Sequence, residues 1–251
     1  MLVCTQGSSE LSSRLPLAVR VGILWGMDGA GIAAAEVERL EAMLAYERDA
    51  WSRGRRLVAG VDEAGRGPLA GPVVAAAVTL PRDRPIGGLD DSKKLRPAVR
   101  EELFAALEAD AEVHVGVGVC SVEEIEALNI LGATRRAMRA AVEALPVRPD
   151  FVLVDGMFIR GMTIPHRKVV RGDCLSASVA AASIVAKVTR DRMMRKLDAR
   201  YGVYGFARHK GYGTRLHLAM LKKHGPCPAH RKGFAPVREL LEEGVPLWTT
   251  S

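Results

Sequence analysis

Two adjacent carboxylates, Asp62 and Glu63, stand at the end of an apolar segment and directly before a glycine-rich stretch. A charge at the end of a buried strand is costly unless something neutralises it. Neighbouring side chains on a strand point to opposite faces, so both carboxylates face one point only if the strand ends or bends there. Glycines at positions 65, 67 and 71 permit such a bend. Taken alone, this segment is better explained as a polar strand end followed by a turn.

Two further aspartates occur in similar surroundings. Asp155 ends the apolar segment 151–154, and Asp173 follows a second short apolar stretch. Carboxylates at the ends of separate strands can converge at one sheet edge, where they repel one another unless divalent cations lie between them. Oxygen ligands favour Mg²⁺ or Mn²⁺ over zinc, and two such ions about 4 Å apart are a known device for displacement at a phosphate. Each aspartate alone can be a cap or turn residue, but the set of four predicts a metal site.

Basic and aromatic residues accompany the carboxylates. Ser92, Lys93 and Lys94 offer a hydroxyl and two ammonium groups to a phosphate backbone, although a solvated loop before a helix explains them as well. Tyr212 lies between two glycines in a basic stretch, where its ring can stack on a sugar or base or pack against the core. Three later histidines show no ligand spacing, and we predict that they are solvated: His217, His224 and His230.

Composition restricts the class of protein. The chain has 251 residues, 48% of them hydrophobic, which suits one domain with appendages or two small ones. Its formal net charge of +7 suits a polyanionic partner, although charge alone is weak support. No apolar run approaches the ~18 residues that cross a bilayer. The four cysteines form no C-x-x-C pair and no disulfide framework, so we predict free thiols, no zinc knuckle and a cytoplasmic protein.

The elements that must position these residues alternate along the chain. We predict strands at 56–61, 72–80, 112–120, 151–154 and 166–170. We predict helices at 97–109, from the capping box at Ser121, at 130–145 and at 175–200. Three strands come first and later strands alternate with helices, so the predicted fold class is α/β, with a mixed sheet flanked by helices.

Four regions divide the chain. Residues 1–32 are expected to be a disordered or over-extended amino terminus, in which Met27 could be the true start. The apolar stretch 21–27 only faintly resembles a signal peptide, because its flanks are ill defined. Residues 33–55 are predicted to be a helical extension and residues 56–200 a catalytic core. Residues 201–251 are predicted to be a helical, basic carboxy-terminal region.

From about Arg56 to Leu240 the sequence resembles type 2 ribonuclease H, the family called ribonuclease HII in bacteria. The blocks that carry the resemblance are 60–72, 91–95, 154–156, 172–173, 180–191 and 209–214. It implies a ribonuclease H-like α/β fold with a small helical carboxy-terminal region. Type 3 enzymes have a larger amino-terminal domain than the residues before Asp62 allow, and type 1 enzymes use a different motif order.

The resemblance also assigns roles to residues. It implies a metal site formed by four carboxylates, which map onto Asp62, Glu63, Asp155 and Asp173. Asp191 competes with Asp173 for the fourth place, but an ion pair within its helix explains Asp191, and we prefer Asp173. The resemblance also implies two kinds of substrate contact. The backbone of Gly65, Arg66 and Gly67 would read the 2′-hydroxyl of RNA. The ring of Tyr212 would stack on the deoxyribose beside an RNA–DNA junction.

The implied activity is hydrolysis of the RNA strand of RNA–DNA hybrids and cleavage at single ribonucleotides in duplex DNA. The expected cofactors are two Mn²⁺ or Mg²⁺ ions, and the expected products are a 5′-phosphate and a 3′-hydroxyl. Excision of misplaced ribonucleotides and removal of RNA primers are implied tasks, for a monomer without a membrane partner. Two alternatives remain: a nuclease of the same fold that acts on branched DNA, and a nucleic-acid-binding protein without turnover.

Overall fold

The structure, a computed structural model, describes residues 29–248, and the side chains of residues 35–248. The predicted signal-like stretch 21–27, Met27 and most of the predicted amino-terminal region therefore lie outside the described residues. Among residues 29–248, none of the helices combines the length and hydropathy of a segment that crosses a membrane.

Strands and helices alternate along most of the described chain. The strands are β1 (Val58–Ala64), β2 (Val73–Thr79), β3 (His114–Cys120), β4 (Phe151–Asp155) and β5 (His166–Val169). The helices are α1 (Gly29–Met43), α2 (Ala45–Ser52), α3 (Pro97–Ala109), α4 (Val122–Glu143), α5 (Gly172–Leu175), α6 (Ala177–Arg200), α7 (Phe206–His209), α8 (Arg215–His224) and α9 (Ala235–Glu242). A 3₁₀ turn at Gly202–Tyr204 separates α6 from α7.

The five strands form one mixed sheet in the order β3-β2-β1-β4-β5. β1 pairs antiparallel with β2 and parallel with β4, which pairs parallel with β5. The predicted α/β fold with a mixed sheet is thus confirmed. Val61 of β1 lies opposite Val154 of β4, so Asp62 and Asp155 follow one step later on neighbouring parallel strands. The sheet register therefore brings two of the predicted site residues together.

Helices cover both faces of the sheet. One apolar cluster joins the sheet to α3 and α6, and a second joins its other face to α4. The start of α6 lies directly on β1 because Gly60 has no side chain there. A Cβ at Gly60 would lie only 2.1 Å from the carbonyl carbon of Ser178. Since Gly60 and Asp62 share one strand face, the same packing places Asp62 beneath α6.

The structure moves several predicted boundaries. β1 continues to Ala64, so Asp62 and Glu63 lie inside the strand, because β2 pairs with both residues. The two helices predicted after Ser121 form one helix, α4, with a kink at Asn129 (φ 55°, ψ 170°). The Asn129 side chain accepts hydrogen bonds from the next free backbone N–H groups and so restarts the helix. The helix predicted from residue 175 is divided at Ser176, which caps α6.

The carboxy-terminal region has a small core of its own, built around Tyr204, Phe206 and Cys227. His217 and His230 are buried in this region, and His224 is half-buried, so the prediction of solvated histidines is wrong. His217 and His230 are hydrogen-bonded to each other, and the ring of His224 contacts that of Tyr204. Sequence spacing carries no sign of these contacts. The three described cysteines are free thiols.

Candidate functional site

Four carboxylates converge where β1 and β4 end. Asp62 and Glu63 come from β1, Asp155 comes from the last position of β4, and Asp173 lies in the first turn of α5. Burial raises the pKa of Asp62 well above its ordinary value, and the charges of Glu63, Asp155 and Asp173 raise it further. Asp62 and Asp173 are each only 6% exposed. The structure therefore gathers four like charges at one enclosed point.

Backbone donors hold part of this cluster in place. The N–H of Glu63 donates to Asp62 Oδ1 at 2.7 Å, and the N–H of Gly172 donates to Asp155 Oδ1 at 2.6 Å. These two bonds do not satisfy the remaining oxygens. Glu63 Oε2 is buried and has no hydrogen-bond partner among the described residues. Burial raises the pKa of Glu63 even though the Arg66 guanidinium, 3.2 Å away, lowers it.

A few cationic groups lie near the cluster. Lys93 Nζ is 3.3 Å from Asp173 and 3.8 Å from Asp91, but the Lys93 side chain is 77% exposed, so this pair is weak. Asp91 and Cys174 lie beside Asp173, with one ligand atom of each of the three within 4.8 Å of the others. The sequence did not single out Asp91 or Cys174 as possible ligands.

The donor set fits divalent cations with oxygen ligands. Two of the four carboxylates, Asp62 and Asp173, are buried, and the half-buried Glu63 has an unsatisfied oxygen. Among the described residues, the cations that pair with this set are the exposed side chains of Arg66 and Lys93. Hard cations such as Mg²⁺ and Mn²⁺ bind such oxygens, and they would remove the mutual repulsion that burial intensifies. The arrangement can therefore assemble metal-assisted phosphoryl chemistry.

Asp191, the competing carboxylate, lies farther along α6. It pairs with Lys187 at 2.6 Å, one helical turn earlier, as the predicted ion pair requires. The charges that raise the pKa of Asp62 come from Glu63, Asp155 and Asp173.

The loop between β1 and β2 passes beside the carboxylates, and buried arginines hold it from within. Arg231 donates to the carbonyl oxygens of Gly65 at 2.6 Å and Arg66 at 3.0 Å, and also to those of Gly71 and Pro72. In a trans peptide the N–H points opposite to the C=O. Because these carbonyls point inward, the N–H groups of Arg66 and Gly67 point away from the interior. Gly65 itself has φ +100°, which favours glycine.

Arg190 supports the same loop from α6. Its guanidinium donates to the carbonyl oxygens of Pro72, Ala70 and Lys210 at 3.0 to 3.1 Å. Burial lowers the pKa of Arg190 to about 10, and burial with the neighbouring Arg190 charge lowers that of Arg231 to about 9. Both therefore remain charged at neutral pH. Sequence reasoning missed both arginines: Arg190 lies inside the matching block 180–191, but Arg231 carries no local signal.

Tyr212 lies next to this loop. Its side chain is 47% exposed, and a Cβ placed on Gly67 would lie 3.8 Å from Tyr212 Cε1. The backbone at this point is tied to the loop, because Leu69 N–H donates to Gly211 O at 2.8 Å. An accessible ring and a row of outward N–H groups therefore line one surface beside the carboxylates.

The segment Ser92–Lys94 divides into buried and exposed parts. Ser92 is only 4% exposed, and its hydroxyl accepts a hydrogen bond from Ser183 Oγ at 2.7 Å. Its carbonyl accepts from Arg100. The Ser92 side chain thus anchors the loop to α6, which argues against the predicted direct phosphate contact. Lys93 and Lys94 stay exposed at the rim, and Lys94 pairs with Asp90 at 3.0 Å.

A family model described as ribonuclease HII matches residues 59–237 of the chain. The chain belongs to the ribonuclease HII family. As a ribonuclease HII it is an endoribonuclease, and RNA–DNA hybrid is the substrate class that this membership implies. The matched range includes all four carboxylates and Tyr212.

Curated relatives and solved structures agree with this membership. The chain is 54% identical over 205 residues to the ribonuclease HII of Geobacillus kaustophilus, covering 82% of this chain and 78% of the relative. It is 56% identical over 200 residues to a ribonuclease HII of Chlamydia trachomatis, covering 80% and 92%. The ribonuclease H2 structure from Pyrococcus horikoshii superposes with a TM-score of 0.61 at 29% identity, covering 75% of this chain and 98% of that one.

Proposed function

We propose that this ribonuclease HII hydrolyses the RNA strand of hybrids and also cuts duplex DNA at a single embedded ribonucleotide. Cleavage would leave a 5′-phosphate and a 3′-hydroxyl. The observation that carries the proposal is the enclosed set of four carboxylates directly beside a loop whose N–H groups face outward. The first feature suits a metal-assisted attack on a phosphate, and the second suits recognition of a hydroxyl.

The carboxylates of Asp62, Glu63, Asp155 and Asp173 would hold Mn²⁺ or Mg²⁺, with two ions present when substrate is bound. When bound, such cations supply an activated water and neutralise the charge that develops at the scissile phosphate. Asp62 is the central ligand in this proposal, because its pKa responds to all three of the other carboxylates. Asp155 and Asp173, whose charges also act on each other, would complete the ligand set.

Substrate recognition would use the backbone and the exposed ring. The outward N–H groups of the Gly65–Gly67 loop would bind the 2′-hydroxyl, the group that separates RNA from DNA. Tyr212 would stack on the deoxyribose beside the ribonucleotide, and Lys93 and Lys94 would hold phosphates independently of sequence. Residues 56–200 would form the catalytic core, with Tyr212 supplied by the region 201–251, and the enzyme would act as a cytoplasmic monomer.

The test compares four substrates: a duplex with one ribonucleotide, a uniform RNA–DNA hybrid, an all-DNA duplex and a branched DNA, each with Mn²⁺ or Mg²⁺. We expect cutting of the first two only, and loss of cutting in Asp62→Asn while hybrid binding persists. Preference for branched DNA, or normal cutting by Asp62→Asn, would overturn the proposal. Hybrid binding without any turnover of the wild type would do the same.

Tyr212→Ala is expected to slow cutting at a single ribonucleotide more than hydrolysis of a uniform hybrid. The proposed contact needs a deoxyribose beside a ribonucleotide, and the duplex with a single ribonucleotide has this junction whereas the uniform hybrid does not. Tyr212→Phe keeps the ring and is the matched control. Single-turnover rates on both substrates provide the measurement, and equal losses on the two would contradict the stacking role.

A further inference from the structure

Three buried imidazoles are linked by hydrogen bonds to the turn that carries Tyr212. His209, His217 and His230 are 9%, 0% and 1% exposed, and the rings of His209 and His217 stack with their centroids 4.4 Å apart. The function proposed above uses none of the three. They nevertheless connect the small carboxy-terminal core to the backbone that carries the exposed ring.

The partners of these rings fix the direction of each hydrogen bond. A carbonyl oxygen can only accept, so His217 Nδ1, 2.9 Å from Tyr212 O, carries the proton and donates. His217 Nε2 must then accept from the Nε2–H of His230, 3.0 Å away. His230 Nδ1 in turn accepts from the N–H of Cys227 at 2.9 Å. A directed chain therefore runs from Cys227 through two histidines to the carbonyl of Tyr212.

His209 secures the other side of the same turn. Its Nε2–H donates to Tyr204 O at 2.7 Å, and its Nδ1 accepts from the N–H of Gly211 at 3.2 Å. Two different imidazoles thus bond to this turn, one to the carbonyl of Tyr212 and one to the N–H of the preceding Gly211. Backbone bonds hold this turn as well, because the Tyr212 N–H donates to His209 O at 2.9 Å and Tyr212 O also accepts from the Thr214 N–H at 2.7 Å. Glycine on both sides gives the local chain little stiffness of its own, so the imidazole bonds add to the hold on the ring.

The chain requires neutral imidazoles, and burial supplies that condition. Burial lowers the pKa of His217 to about 4 and that of His230 to about 3. Near neutral pH each ring therefore keeps one donor nitrogen and one acceptor nitrogen. The backbone of Tyr212 is held while 47% of its side chain stays accessible beside Gly67.

We propose that His217, oriented by His230, is a positioning residue that sets the Tyr212 ring at the substrate surface and thereby the preference for a single ribonucleotide over a uniform hybrid. The inference rests on the stacking role of Tyr212 proposed above. His217 does not touch substrate in this proposal. It acts through the Tyr212 carbonyl, so its donor nitrogen is the atom that matters for selectivity.

Two substitutions of His217 separate its nitrogens. Asn places an amide nitrogen near the Nδ1 position and keeps the donor to Tyr212, whereas Gln places its amide group near Nε2 and loses that donor. We expect His217→Gln to lower the ratio of single-ribonucleotide to hybrid cutting about tenfold, the value of one hydrogen bond. We expect His217→Asn, which keeps this donor but loses the acceptor for His230, to lower the ratio clearly less than His217→Gln does. Melting temperatures of both variants report on general damage to the fold.

Equal changes of the ratio in the two variants would overturn the proposal, because a merely structural role depends on both nitrogens alike. If His217 variants do not fold, the same contrast is available at His230. His230→Gln keeps a donor toward His217 and should preserve the ratio, whereas His230→Asn should lower it, and the reverse order would overturn the proposal.

The stacking role is checked separately with Tyr212→Ala. We expect this variant to lose the preference, and His217→Gln to add no further loss in its background. Suppose that Tyr212→Ala loses the preference and that His217→Gln lowers the ratio further in the Tyr212→Ala background. This result would overturn the positioning proposal and leave the stacking role intact. An unchanged preference in Tyr212→Ala would overturn the stacking role, and the positioning proposal with it.

Discussion

Asp62 lies buried among other carboxylates, and its negative charge lowers the free energy of unfolding of the metal-free protein. Burial, then Glu63 and Asp155, raise its pKa well above the ordinary 3.8. The folded state therefore binds a proton more tightly than the unfolded state does. Stability from this group is present at low pH and is lost as the pH rises through the raised pKa. Divalent cations that neutralise the cluster should restore the stability that is lost at neutral pH.

Asp62→Asn should therefore raise the melting temperature of the metal-free protein at neutral pH. Mn²⁺ should raise the melting temperature of the wild type, because it binds only the folded state, and should do so far less for Asp62→Asn. Calorimetry with a chelator and with Mn²⁺ measures both effects. Asp191→Asn is the control, because Asp191 already pairs with Lys187, and no gain is expected there. A metal-free Asp62→Asn protein that melts below the wild type would contradict this explanation.

Residues differ in how far their surroundings can be predicted from sequence. Asp62 and Asp155 follow apolar segments, so their place near the ends of two strands follows from local pattern, although β1 continues two residues beyond Asp62. Arg231 could not be predicted in the same way, because its partner Gly65 is 166 positions away. The burial of His217 has the same origin, since its ring bonds to His230 in a core that only the folded carboxy-terminal region creates.

Among the elements, the loop from β1 to β2 depends on buried guanidinium groups rather than on its own sequence. Arg231 satisfies carbonyls at both ends of this loop, and Arg190 adds further bonds from α6. Hydrogen bonds from a charged donor contribute more than neutral ones, and buried carbonyls without a partner are costly. The loop that presents the outward N–H groups should thus lose its shape when a guanidinium is removed.

Arg231→Ala should lower the free energy of unfolding by about 3 kcal/mol or more, because it leaves several buried carbonyls unpaired and opens a cavity. Arg231→Lys keeps the charge but cannot reach all four carbonyls, so an intermediate loss is expected. Urea unfolding provides the measurement. Arg238→Ala removes an exposed arginine whose pair with Glu242 is 3.8 Å long, and should change stability by less than about 0.5 kcal/mol. An Arg231→Ala protein as stable as the Arg238→Ala control would contradict this role.

Helix α2 is fastened to the start of α6 by one buried carboxylate. Glu47 Oε1 accepts hydrogen bonds from the hydroxyls of Ser176 and Ser178 at 2.6 Å each, and from the N–H of Ser178 at 3.0 Å. The predicted helical extension thus belongs to the packing of the core helix. Its contact with α6 was not predictable, because about 130 residues separate the partners.

Glu47→Ala should lower the free energy of unfolding by about 2–3 kcal/mol, because three donors at the amino terminus of α6 lose their acceptor. Glu47→Gln keeps one acceptor oxygen and should lose less. Glu41→Ala removes an exposed carboxylate, 3.5 Å from Arg48, and serves as the matched control with little change. Similar urea midpoints for Glu47→Ala and Glu41→Ala would show that α2 is not fastened through this residue.

Element boundaries moved wherever pairing between distant segments overrode local pattern. β1 extends through the carboxylates because β2 pairs with it up to Ala64. The order of strands and helices was predictable from apolar periodicity, since the helices of both layers must bury one face each. The kink of α4 at Asn129 was not predictable, because neither glycine nor proline, the usual signals of a helix break, stands at that position. The kink is stabilised by the Asn129 side chain, which accepts a hydrogen bond from the N–H of Leu131.

The molecule as a whole places a small acidic centre in a basic background. The net charge of +7 favours approach of a nucleic acid, whose phosphates release counterions on binding. The four carboxylates oppose that charge locally, and in the proposed function divalent cations would offset them beside the scissile phosphate. The metal affinity of the cluster is therefore the central quantity of the proposed function.

The most direct test of this quantity is calorimetric titration of Mn²⁺ into four proteins: the wild type, Asp62→Asn, Asp173→Asn and Asp191→Asn. Each titration is followed by a cleavage assay on a single-ribonucleotide duplex. We predict that Asp191→Asn binds Mn²⁺ and cuts as the wild type does, whereas Asp62→Asn and Asp173→Asn lose both properties. Wild-type binding and cutting by Asp173→Asn, with loss of both in Asp191→Asn, would contradict the four-carboxylate site.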